Sequence, residues 1–188
     1  MNHKLISTIL TVVGLVLFIS CSEKMKVDSL LEYQGKYPDE SAEDMEIIYS
    51  EAGKKSFVLY APLLNKYYEG QDAFVSYMDC PKGITIISYD DNGEEQSVLT
   101  ADYAISEEKS RKMEARHNVV LKNLQKNEII ETEQIIWDKN KRKIFSEKEV
   151  RYIKSDGSVS IGDGFDADER FSKYSVWNPR GEIVTDEY

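Results

Sequence analysis

Histidine is almost missing from this chain: two residues, His3 and His117, in 188. That scarcity excludes Ser-His-Asp triads and His-rich metal centres, which need imidazoles at several converging positions. Cysteine is equally sparse, with only Cys21 and Cys80, so no disulfide framework supports the fold. Basic residues fall short of acidic ones, 24 Lys plus Arg against 34 Asp plus Glu, for a net charge of −10. Such a surface repels a phosphate backbone and argues against nucleic-acid binding. The ten glycines are scattered and form no phosphate-cradling loop. No Cys-x-x-Cys or His-Glu-x-x-His spacing occurs. Amphipathic helices longer than three turns are also lacking. What remains is 41% hydrophobic and 31% charged, the usage of one soluble globular domain.

At the N-terminus, Lys4 precedes an almost uncharged stretch over 5–20. As a helix it reaches roughly 24 Å, short of the ~30 Å hydrocarbon core of a bilayer. A positive start, an apolar run and small residues at its end describe a secretory signal. The run closes on Leu17-Phe18-Ile19-Ser20-Cys21, which resembles the lipobox of bacterial lipoproteins, with Phe18 in place of the usual Leu. Cleavage there makes Cys21 the acylated first residue, leaves Cys80 unpaired and tethers the chain to a membrane surface through its N-terminal lipid. The alternative is an uncleaved anchor with an incidental Cys. The organisation expected is a signal peptide over 1–20, a polar spacer over 21–44 and a domain over 45–188.

From Met45 onward, short runs rich in Val, Ile, Tyr and Phe alternate with turn clusters. The runs cover 45–49, 55–61, 84–89, 97–105, 115–123, 129–137, 144–153, 159–165 and 171–177. Asn92-Gly93 and Asp156-Gly157 lie between them and supply the positive φ that tight hairpins need. The stretch 62–81 is the least regular, and its Leu63-Leu64 suits a short helix or an irregular strand. A faint echo links Thr100–Ile105 in register with Thr132–Trp137 and, more loosely, Gly164–Asp168, at a period of about 32 residues, consistent with stacked hairpins. Strict alternation places Ala115, His117, Val119 and Leu121 on one strand face, with His117 as a satisfied core histidine. Ile144, Ser146, Val150 and Tyr152 form a second such face. Apolar faces of this kind need a cover. A dry sandwich and a partly open sheet pair that accepts lipid tails both satisfy it. Asp163, Asp166, Asp168 and Glu169 could offer oxygen ligands to Ca²⁺, but the EF-hand pattern fails and surface solvation accounts for them. Neither catalytic residues, a metal nor a cofactor is indicated.

Several segments in order carry a resemblance: Leu59-Tyr60-Ala61-Pro62, Asp79-Cys80-Pro81-Lys82-Gly83-Ile84, Leu99-Thr100-Ala101-Asp102-Tyr103-Ala104, Asn118-Val119-Val120-Leu121, Trp137-Asp138, and Ile161-Gly162-Asp163-Gly164-Phe165. Together they resemble the LptC family, periplasmic components of lipopolysaccharide export, in a lipoprotein-anchored form. His117 stands where that family often has Gly. The resemblance implies an all-β fold, a single antiparallel open jelly roll, V-shaped and OstA/LptA-like, whose interior takes the acyl chains of lipopolysaccharide. It implies docking of one edge to LptF or LptG, driven by LptB, and of the other to an LptA-like bridge. The location implied is the periplasmic side of the inner membrane. On that reading the groove candidates are Ile84, Ile86, Val119, Leu121, Ile130, Ile144, Val150, Ile161 and Phe165. The edge candidates are Ile47 and Tyr49 at one end, Tyr174 and Val176 at the other. Two other classes stay open: a lipoprotein whose closed β-sandwich binds protein or glycan partners, and a small hydrolase using carboxylates such as Glu107 and Glu108.

Overall fold

The computed structural model describes residues 37–68, 75–169, 171 and 173–182. The expected signal peptide, Cys21 and most of the spacer lie outside these residues. Fourteen strands follow one another: β1 (Glu40–Glu51), β2 (Lys54–Tyr68), β3 (Val75–Cys80), β4 (Ile84–Tyr89), β5 (Glu95–Ala101), β6 (Tyr103–Glu107), β7 (Lys112–Asn123), β8 (Glu128–Asp138), β9 (Lys143–Ser146), β10 (Val150–Ile153), β11 (Val159–Gly162), β12 (Gly164–Asp168), β13 (Tyr174–Trp177) and β14 (Arg180–Glu182). All pairings are antiparallel. The domain starts earlier than expected, since residues 40–44 belong to β1 rather than to a spacer. Leu63 and Leu64 continue β2 as strand.

The long strands β2, β7 and β8 each change partner halfway. β2 pairs β4 through its first half and β3 through its second. β7 pairs β6 and then β5, and β8 pairs β10 and then β9. The sheet therefore divides into two arms. The first holds β4, β5, β10, β11 and β14; the second holds β3, β6, β9, β12 and β13. The long strands and β1, which pairs along β2, pass from one arm to the other. The line of crossing is a spine of tight corners. Asp44, Gly83, His117, Asn118 and Asn178 all have positive φ there, which sharply redirects the chain. Gly83, at φ +88, has no room for a side chain, because a Cβ would lie 2.6 Å from the Ala101 carbonyl oxygen.

This explains why several runs expected as single strands are two. The runs over 97–105, 144–153 and 159–165 each break at the spine, at Asp102, at 147–149 and at Asp163. The echo near 32 residues repeats the corner and the strand that leaves it, at β6, the second half of β8, and β12. It also explains His117. One extra residue of β7 is accommodated between Arg116 and Val119 opposite β8. That bulge keeps Ala115, Val119 and Leu121 in the core and turns His117 outward, 65% exposed, with its Nδ1 3.8 Å from Glu133. The expected core histidine is thus a surface residue at a bulge.

Candidate functional site

The inner faces of both arms merge into one core. From the first arm come Leu59, Ile84, Val119, Leu121, Ile130, Val150 and Tyr152; from the second come Leu64, Cys80, Ala104, Ala115, Ile135, Phe165 and Ala167. Of the groove candidates, Val119, Ile130, Val150 and Phe165 are 0% exposed. Ile84 and Leu121 are also buried, and Ile86 and Ile144 pack partly buried against them. Each full burial of such a side chain contributes about 1.5–3 kcal/mol. Eight candidates thus share one apolar interior. Ile161 does not belong with them. It pairs with Arg151 and Arg180 across the outer face and is 38% exposed, because residues of β11 alternate and Ser160 and Gly162 take the inward positions.

Opposite the spine, the tips of the two arms meet at a mouth. Among the described residues, side chains bridge it, in one case to a backbone carbonyl. The Phe57 ring of the first arm lies edge-on to Trp137 of the second, 5.5 Å between centroids, with Tyr49 stacked on Phe57. The Asn123 amide donates to the carbonyl of Phe171 at 3.3 Å. Tyr174 on β13 donates to the Glu128 carboxylate at 2.8 Å, and its hydroxyl bonds that of Tyr152 on β10. Burial, and after it the Glu128 carboxylate, raises the pKa of both tyrosines, so they stay neutral donors. Nothing in the sequence brings Glu128 to Tyr174, which lie far apart along the chain.

Among the described residues β1 pairs only β2, and β13 pairs only β12. On β1, Ile47 packs partly against the core, while Tyr49 is 50% and Ile48 58% exposed. Tyr174 and Val176 of β13 also face inward, packed on the core. β14 is a further edge, paired only with β11 among the described residues. Backbone donors and acceptors along such edges can accept an added strand.

The polar groups are structural in their arrangement. Glu114 is 1% exposed on the outer side of the second arm, yet it receives two hydrogen bonds from Arg116, at 2.7 and 2.9 Å, and one from Gln134. Alternation showed Arg116 as an outward residue but gave no sign that its partner is buried. Burial pushes the Cys80 thiol up to about 12, which leaves it a neutral, unreactive core group. Asp163 accepts from Asn178 and Arg180, Asp166 from Trp177, and Glu169 from Trp137 and Arg142. Among the described residues no group of three or more His, Cys, Asp or Glu could hold a metal ion.

A two-armed antiparallel sheet, bent along a spine and apolar within, defines an open jelly roll rather than a closed barrel. A family model described as lipopolysaccharide-assembly, LptC-related, matches residues 6–175, and the chain belongs to this family. Members of the family are non-enzymatic components of lipopolysaccharide transport in the cell envelope. No curated protein matches the chain.

Proposed function

We propose that the chain shields the acyl chains of lipopolysaccharide between its two arms on the periplasmic side of the inner membrane. It is tethered there through acylated Cys21. It receives the lipid at the β1 edge from a transporter of LptB, LptF and LptG, and passes it on at the β13 edge to an LptA-like bridge. The observation that carries this reading is the continuous apolar interior, which runs from strands beside β1 to strands beside β13. Each methylene of an acyl tail exposed to water costs about 0.8 kcal/mol, so a tail in transit needs such a cover. The chain's own residues supply that cover and two pairing edges, and transport energy comes from the partner. A photo-crosslinking residue at Ile86 or Ile144, both partly buried, should capture lipopolysaccharide in cells. Silence at both positions would overturn the reading. Tagged full-length protein should co-purify with the transporter, and Cys21→Ala should release it from the membrane.

Close packing of the interior favours a second reading, a lipoprotein whose closed sandwich binds protein or glycan partners through its edges alone. Co-purification of partners together with silent crosslinkers would select that reading.

A further inference from the structure

The interior that would receive alkyl chains is filled with side chains, with Val119, Ile130, Val150 and Phe165 all fully buried. A tail can enter only if the arms part. They cannot part at the spine, where the backbone itself runs from arm to arm. They can part at the mouth, where no peptide bond joins them. At the end of the roll next to β13, the polar fastening across the mouth centres on one side chain. Tyr174 belongs to the second arm, and both its hydroxyl partners, Glu128 and Tyr152, belong to the first. Its ring also meets the Tyr152 ring edge-on at 5.3 Å, and the Lys126 ammonium lies 4.9 Å from its centre. Tyr174 sits on a strand that, among the described residues, pairs only β12, so fewer backbone hydrogen bonds hold it than hold the other strands of the second arm.

We propose that Tyr174, with Glu128 and Tyr152, is a clasp that holds the mouth shut and must release before the interior admits an acyl chain. Glu128 gives it strength, since a hydrogen bond to a carboxylate outweighs one between neutral groups. Its position on β13 ties release to the edge at which the lipid is handed on. The lipid part of this inference rests on the function proposed above; the opening of the arms does not.

Two measurements separate the two. In full-length protein carrying Leu121→Cys, the new thiol lies on the inner face, whereas the native Cys80 lies beside the spine at the Pro81 corner. Without any lipid, adding Tyr174→Phe should speed labelling of position 121 by a small maleimide at least tenfold, the lower bound for one hydrogen bond to a charged group. Labelling of Cys80 should stay unchanged. A joint rise at both sites would mean general loosening and would overturn the clasp, as would no rise at either. In the second measurement, fluorescent lipopolysaccharide is offered to wild type, to Tyr174→Phe, and to Glu128→Cys/Tyr174→Cys bridged by a short bismaleimide. Uptake should be at least tenfold faster in Tyr174→Phe and at least tenfold slower in the bridged form. Equal rates in all three would overturn the clasp. Wild type that takes up no lipid, with position 121 still responding to Tyr174→Phe, would overturn the transport reading and leave the clasp standing.

Discussion

The spine and the mouth join the same two arms with opposite materials. At the spine the chain itself crosses, and the corners are held by backbone groups and short polar side chains. The Asp102 amide donates to the His117 carbonyl at 3.0 Å, and the Asp163 amide to that of Trp177 at 3.0 Å. Asn118 and Asn178 reach the carboxylates of Asp102 and Asp163. At the mouth there are rings and hydroxyls, Phe57 on Trp137 and Tyr174 on Tyr152 and Glu128. Breaking a corner distorts several strands at once, whereas breaking a mouth contact costs one side-chain interaction. A molecule built this way hinges on one side and opens on the other.

The first way to test the contrast is to damage what both sides depend on. Phe165→Ala removes a fully buried ring and should cost about 4 kcal/mol in denaturant unfolding. At the spine, Gly83→Ala should cost about 3 kcal/mol, because it combines a positive φ with a Cβ driven against the Ala101 carbonyl. A loss under 1 kcal/mol there would show that the corner yields easily, and the hinge side would lose its claim to rigidity.

The mouth should respond more weakly. A double-mutant cycle on Phe57→Leu and Trp137→Leu should return a coupling of about 1 kcal/mol, typical of an edge-on aromatic pair. A coupling as large as the Gly83→Ala loss would place both sides on one footing and remove the difference between hinge and opening.

How much of this could be read from the chain depends on what each feature uses. The tip turns were legible, since Asn92-Gly93 and Asp156-Gly157 carry their own punctuation and Gly93 and Gly157 have positive φ. The corners were not, because Asp44, His117, Asn118 and Asn178 adopt positive φ without glycine. A signal did exist. Inward residues step by three rather than two across a corner, as in Met45 and Ala42, Ala61 and Leu64, and Thr132 and Ile135. Strict alternation carried through such a step put His117 inside. Ile161 was placed in the groove by the resemblance, and the corner at Asp163, between β11 and β12, leaves it on the outer face while Phe165 is buried. β3 was missed because the apolar residues of Val75-Ser76-Tyr77-Met78-Asp79-Cys80 fall on both faces, Met78 and Cys80 inward and Tyr77 outward, so no alternation shows, and Asp79 is bonded to Asn65 on the outer side. The clasp was beyond reach, since it depends on which strand tips the spine brings face to face.

The smallest effects expected come from two carboxylates that differ in sign. Hydrogen bonds from Asn178 and Arg180 hold Asp163, at a corner, below the ordinary aspartate range. Its contribution is therefore complete above the unfolded value, about 3.9, and is lost as pH falls through the lower folded value. Asp79, on the outer side of the second arm, is raised by burial despite hydrogen bonds from Asn65 and Tyr103. There the folded state holds its proton longer than the unfolded chain does, so stability falls as pH rises from the ordinary aspartate range through the higher folded value. Asp163→Asn should flatten the acid limb of the stability profile, and Asp79→Asn should remove the decline just above it. Unfolding midpoints measured from about pH 2 to 7 distinguish them. Matching profiles in the two variants would mean that the corner is no better anchored by its polar contacts than the arm is, and the spine would owe its stiffness to backbone geometry alone.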